Sequence, residues 1–259
     1  MSLRVTMLGS GTSTGVPVLN CACAVCTSTD PRNRRWRPGL KLELRSGAAE
    51  CAVLIDTPTD LRTQILRFGL PRLDAILFTH SHADHIFGLD DVRIFNFRQR
   101  EAIPCYGSRE TLQALRRVFA YVFEETQEGG GKPQLDLHEV RAPFGLFGRE
   151  VVPVPVLHGS MEVFGYRLGS FAYVTDVSRI PEPSYELLAG VDTLILGALR
   201  FRPHSTHFSV QEAIAASQRI GARRTVLTHL GHEVDHDAPQ VPLPPGVELG
   251  YDGLVLDLE

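Results

Sequence analysis

The chain has 259 residues, 43% of them hydrophobic and 22% charged, with a formal net charge of −4. This is the composition of an ordinary globular protein, not a disordered or fibrous one, and the length suffices to bury a core without covalent staples. The mild acidity excludes a bulk cationic field, so nucleic acid is not an expected partner. No run of about 18 apolar residues marks a membrane span, and Met1 to Leu8 lacks the charged-then-apolar order of a secretory signal.

Leu3 to Leu8 alternates apolar and polar residues and predicts a strand. It enters Gly9-Ser-Gly-Thr-Ser-Thr-Gly15, which is not a dinucleotide fingerprint: its third glycine is one position late, and Val16-Pro17-Val18 follows instead of a helix. A tight turn with close backbone packing is expected there. The five cysteines are odd in number, and Cys21, Cys23 and Cys26 crowd within six positions. A disulfide framework needs an even count and wider spacing, so a reduced, cytoplasmic protein with metal-binding thiolates is expected. The basic run Arg32 to Arg37 reads as solvated surface, or else as a pocket wall or dimer contact that attracts phosphate.

Ala52 to Ile55 reads as a buried strand ending at Asp56, Leu61 to Phe68 as a helix, and Ala75 to Phe78 as a second buried strand leading into Thr79-His80. One long amphipathic helix is expected over Arg109 to Val122, with Leu112, Leu115, Val118, Phe119 and Val122 on its apolar face. Gly129 to Gly131 marks a flexible connection. Further strands are expected at Val151–Val156, Val163–Leu168, Phe171–Thr175, Leu194–Leu196 and Arg224–Thr228. Ser209 is placed as the N-cap of a helix through Ile220, with Glu212 completing a capping box. Strands and helices interleave without repeats or linkers, which predicts a mixed α/β architecture in a single domain over residues 1–259.

His80-Ser-His82-Ala-Asp84-His85 places four nitrogen and oxygen donors directly after a buried strand. Imidazole with carboxylate suits zinc, manganese or iron better than calcium. Three more candidates, His158, Asp176 and His229, each follow an apolar strand. This order, His-x-His-x-Asp-His and then His, Asp and His, resembles the signature of the metallo-β-lactamase superfamily along essentially the whole chain. The resemblance implies a four-layer αββα sandwich with its ligands on loops along one edge of two sheets. It implies that His80, His82 and His158 hold one metal, that Asp84, His85 and His229 hold the other, and that Asp176 bridges both. Two such ions about 3.5–4 Å apart clamp and acidify a water, which makes Asp84 part of the catalytic machinery.

Two further motifs narrow the substrate. Three thiolates spaced as Cys21, Cys23 and Cys26 suit one tetrahedral zinc, whose fourth ligand Cys51, Cys105, His232 or His236 could supply; redox thiols are the competing use. Thr206-His207 lies on a loop before the Ser209 helix, where a helix N-terminus favours an anion and a histidine can protonate a leaving oxygen. With the first glycine loop and His229-Leu-Gly-His232, these features resemble the cyclic phosphate phosphodiesterases of the carbon–phosphorus lyase (phosphonate-degradation) pathway. That resemblance implies a structural zinc on Cys21, Cys23, Cys26 and His232, a catalytic His207 with Thr206 helping to hold the substrate, and two manganese or zinc ions in the active site. The implied reaction is hydrolysis of a cyclic or other small phosphodiester by a homodimer. A tRNA 3′-processing endonuclease is the alternative, but no long glycine- and proline-rich arm is present. A non-catalytic cofactor-biosynthesis accessory protein is another, but every expected ligand is present. Thiolester hydrolases and β-lactamases explain neither His207 nor the cysteine cluster.

Overall fold

The computed structural model describes residues 2–46, 49–124 and 131–258; Gly129 and Gly130 of the expected glycine connection lie outside the described residues. In chain order the elements are β1 (Ser2–Gly9), β2 (Gly39–Ser46), β3 (Ala49–Ile55), α1 (Leu61–Phe68), β4 (Ala75–Leu77), α2 (Ala83–Ile86), α3 (Arg93–Gln99), β5 (Ile103–Gly107), α4 (Arg109–Val118), α5 (Ala120–Phe123) and β6 (Leu135–Glu139). There follow β7 (Phe144–Leu146), β8 (Arg149–His158), β9 (Met161–Leu168), β10 (Phe171–Val174), α6 (Glu182–Leu188), β11 (Thr193–Gly197), α7 (Val210–Ile220), β12 (Arg224–Thr228), β13 (Val247–Leu249) and β14 (Val255–Leu258). They fall into two compact units, one made of Met1–Leu8, Gly39–Arg141 and Val255–Glu259, the other of Gly9–Pro38 and Ala142–Leu254.

The first unit carries a seven-stranded sheet in the order β14-β1-β2-β3-β4-β5-β6. Strand β2 pairs antiparallel with β3, and β3, β4, β5 and β6 then run parallel. Parallel strands joined by helices are covered on both faces and read as unbroken apolar runs. Accordingly Ala75, Ile76 and Leu77 of β4 are all fully buried. Leu54, Ile76 and Phe78 meet Leu61, Leu89, Leu112 and Leu115 in one core. Ser108 caps α4 by accepting the Thr111 N–H at 3.2 Å. The single helix expected through Val122 does not form. It stops at Phe119, whose backbone (φ −111°, ψ 44°) leaves the helical region before α5 begins. Turning the axis there buries Phe119 and Val122 while leaving Val118 49% exposed, so Val118 is not on the core face.

The second unit repeats this plan in the order β13-β12-β11-β10-β9-β8-β7. Strands β8 and β9 pair antiparallel, as do β9 and β10, and β10 to β13 run parallel. Strand β8 contains Pro153 and Pro155, which cannot donate to a ladder and belong on an edge. Pairing with β7 ends at Val151, so among the described residues both prolines lie beyond the last β7 partner on that side. Helix α7 has the expected capping box between Ser209 and Glu212, and it ends at Gly221 in the left-handed conformation. Its Val210, Ala213 and Ala216 pack with Val154, Val174, Leu196 and Leu227 in the core. The chain is thus mixed α/β with two sheets. Among the described residues no helix is long and apolar enough to cross a membrane.

Candidate active site

Open parallel sheets present their working residues beyond the carboxyl ends of the strands, and the candidate ligands lie at those ends. In the first unit the chain leaves β4 through Thr79 into His80 and turns into the short α2. His80, Asp84 and His85 are buried and His82 is exposed. The His80 ring lies 4.6 Å from that of His82 and 4.1 Å from that of His85. Asp84 Oδ2 is 3.4 Å from His85 Nε2.

Beneath this turn sits Asp56, a fully buried carboxylate whose backbone takes the left-handed region (φ 66°) at the end of β3. It accepts the Thr79 N–H at 2.8 Å, the Thr79 hydroxyl at 2.8 Å and His85 Nδ1–H at 2.7 Å. Burial pushes the Asp56 carboxyl up, and the nearby His85 and Thr79 donors oppose that push. Thr79 Oγ1 is also 3.0 Å from His80 Nδ1. With the Nδ1 atoms of His80 and His85 engaged by these partners, Nε2 is the nitrogen each presents to a metal, the orienting arrangement usual for ligating histidines.

In the second unit β8 and β10 to β12 all run the same way, so His158, Asp176 and His229 leave one edge of the sheet. His229 Nε2 lies 3.3 Å from Asp176 Oδ1, and His207 Nδ1 lies 3.8 Å from the same oxygen. The His207 ring stacks on His229 at 4.7 Å and meets His158 edge-on at 4.5 Å. Ligand atoms of His158, Asp176 and His207 all fall within 4.8 Å of one another. Asp176 and His229 both adopt left-handed backbone, φ 50° and 60°. Gly197 permits the first of these turns, because a Cβ there would come within 3.1 Å of Asp176 N.

His207 and Thr206 ride on the loop between β11 and α7, which is closed at its neck. Leu199 N–H bonds Phe208 O and Val210 N–H bonds Arg200 O, both at 2.9 Å. Thr206 O accepts His158 Nδ1–H at 2.7 Å, so this residue orients a candidate ligand. Thr206 N–H is 3.3 Å from Nδ1 of His204, a histidine the sequence reading passes over. Burial, and then the charge of His229, push His207 down to about 3; the free imidazole is neutral near pH 7. At the α7 N-terminus several of the first backbone donors are engaged within the protein. Glu212 Oε2 takes Ser209 N–H, Ser209 Oγ takes Glu212 N–H, and Arg200 O takes Val210 N–H.

The cysteine cluster assembles in the same unit, and His232 is its fourth member. His232 Nδ1 lies 3.3, 3.5 and 3.6 Å from the sulfurs of Cys21, Cys23 and Cys26. Zn–S bonds of about 2.3 Å and Zn–N bonds of about 2.0–2.1 Å in a tetrahedron separate N from S by about 3.5 Å, so the donor set fits one zinc. Cys26 N–H donates to Cys23 Sγ at 3.4 Å, and this bond leads the forces that lower the Cys23 thiol. Cys105 is buried and its thiol is pushed up by burial, and Cys51 is raised for the same reason; neither belongs to the cluster. The basic run is mostly internal bracing. Arg32 pairs with Asp30 and Asp237, Arg37 Nε donates to Ser13 O at 3.0 Å, and Arg35 is 1% exposed.

Residues 52–230 match the β-lactamase superfamily domain model. A solved diphosphatase of the PhnP family is 43% identical, with a TM-score of 0.91 over 100% of this chain and 98% of that one. An octanoyltransferase of Porphyromonas gingivalis is 37% identical over 256 residues; the match takes in 97% of this chain, which spans 51% of that protein's length. Coenzyme PQQ synthesis protein B of Methylobacterium radiotolerans is 25% identical over 225 residues, 74% of this chain and 72% of the relative. With the domain model covering most of its length, the chain belongs to the metallo-β-lactamase superfamily and has that superfamily's mixed α/β fold.

Proposed function

We propose that the protein is a dinuclear-metal phosphodiesterase acting on small phosphodiesters, cyclic ribose phosphates among them. In this reading His80, His82 and His158 would hold one ion, Asp84, His85 and His229 would hold the other, and Asp176 would serve both. Cys21, Cys23, Cys26 and His232 would hold a further, structural zinc. The observation that carries the reading is the donor chemistry: in each unit buried imidazoles and carboxylates converge at strand ends, with Nδ1 of His80, His85 and His158 tied to Thr79, Asp56 and Thr206. Such N/O sets suit manganese or zinc.

When bound, two divalent ions activate water and stabilise the charge that develops on phosphoryl oxygens. Asp56 and Thr79 hold the imidazoles of the His80–His85 turn in one tautomer. Thr206 O does the same for His158. His207 is the candidate proton donor to the leaving oxygen. Its imidazole is neutral in the free protein, and an adjacent phosphate anion favours its protonated form. A second reading, hydrolysis of a phosphoanhydride, is favoured by the 43% identity to a diphosphatase.

The test is turnover of bis(p-nitrophenyl) phosphate with manganese against the metal-stripped protein, followed by a panel of cyclic ribose phosphates, linear diesters, nucleoside diphosphates and pre-tRNA. Asp84→Ala should collapse turnover with the fold intact by circular dichroism. Activity within a few-fold of wild type at full metal loading overturns the ligand assignment, and a preference for nucleoside diphosphates selects the second reading.

A further inference from the structure

We propose that Arg35 is a positioning residue for His229, a buried guanidinium that holds the candidate ligand's strained turn in place; the inference rests on reading His229 as an active-site ligand. At φ 60° His229 occupies a backbone region that non-glycine residues seldom adopt, and such a conformation persists only when the surroundings over-determine it. The surroundings here are the residues that follow it. Leu230 N–H bonds Ser10 O at 2.8 Å and Leu230 O accepts Thr12 N–H at 3.2 Å, while Gly231 N–H bonds Leu199 O at 2.8 Å.

Arg35 completes the fastening. Its Nη1 donates to Gly231 O at 3.0 Å, and its Nη2 donates to Val234 O at 2.8 Å and to Asn33 Oδ1 at 2.9 Å. The Arg35 backbone is itself paired in both directions with Val16, each bond 2.8 Å. A Cβ on Gly11 would come within 2.9 Å of Arg35 Cβ and Arg35 O, so the glycine loop closes directly over the side chain. One side chain therefore grips two carbonyls that bracket His232 and begin two residues after His229. The rigid fork presents a separate nitrogen to each carbonyl, whereas a lysine ammonium would have to reach both from one atom. The two sides are 196 and 199 residues apart in sequence.

The test measures Mn2+ binding and zinc content in the full chain, for wild type, Arg35→Lys, Asn33→Ala and His229→Ala. Arg35→Lys keeps the charge and loses the fork. It should weaken Mn2+ binding about 10–100-fold, the range typical when a partner that orients a ligand is removed. The zinc stoichiometry should be unchanged and turnover should return at saturating Mn2+. A lower melting temperature with wild-type Mn2+ affinity is the mark of a merely structural role and overturns the proposal. So does weakened binding accompanied by zinc loss. His229→Ala should lose one Mn2+. If it retains both ions, the ligand assignment falls and the proposal with it; if it loses one while Arg35→Lys binds as wild type, only the proposal falls. Should Arg35→Lys not fold, Asn33→Ala, which removes one acceptor and leaves the cation, decides by the same Mn2+ readout.

Discussion

The His80–His85 turn and the strand-end set of His158, Asp176, His207 and His229 offer the same donor chemistry by opposite means. The first draws its donors from six consecutive residues and rests on one buried carboxylate, Asp56, which reaches Thr79 and His85. The second gathers donors from three strands and a loop, and the three strand-end residues are set by different partners: Thr206 for His158, Thr175 for Asp176, the residues around Leu230 for His229. A contiguous set has a single point of failure close at hand. A dispersed one is sensitive to changes far from the chemistry.

Three substitutions probe that contrast, beginning with the largest effect. His207→Ala strikes the dispersed set at its proposed proton donor. General acid catalysis is worth about 10²–10⁴-fold, so turnover of a ribose cyclic phosphate should fall by that factor. Turnover of a p-nitrophenyl diester, whose leaving group departs unprotonated, should change little. Equal losses on both substrates would refute the acid role and indicate phosphate binding instead. Asp56→Asn strikes the contiguous set at the buried carboxylate beneath it. Active-site metal affinity should drop about 10–100-fold with the cysteine-site zinc retained, as read by metal titration and elemental analysis; unchanged affinity would show that the turn orients itself. Cys23→Ser acts at the greatest remove. A structural zinc contributes folding free energy directly, so the melting temperature should fall and one zinc per chain should be lost while the active-site pair is kept. A stable variant with full zinc content would remove the cysteine cluster from the account.

The same contrast governs what the sequence discloses. His80, His82, Asp84 and His85 are legible because they are adjacent and follow an apolar strand, and α7 is legible because Ser209 and Glu212 form a local cap. His158, Asp176 and His229 are legible only as strand-end residues whose order matches a known signature. Asp56 is visible as a strand end but not as a support, because its partners Thr79 and His85 lie 23 and 29 positions away. Arg35 is indistinguishable from its neighbours in the basic run; only the carbonyls of Gly231 and Val234 set it apart. The break at Phe119 escapes a periodicity argument because the apolar spacing continues through it. Strand β2 is a different case. Its alternating Leu40, Leu42 and Leu44 are buried and carry a plain strand pattern, which the reading in chain order omits.

The neck of the loop between β11 and α7 bears on how such a protein changes over evolutionary time. The pairs Leu199–Phe208 and Arg200–Val210 are made by backbone alone, so they place almost no demand on side-chain identity. Between them the side chains of His204, Thr206 and His207 can be rewritten while the Thr206 carbonyl still meets His158 Nδ1 and the core beneath keeps its packing. Under the role proposed for His207, descendants of one scaffold can then diverge in which leaving groups they accept by rewriting fewer than ten residues, and a graft of this loop between two relatives is a small enough change to transfer that preference.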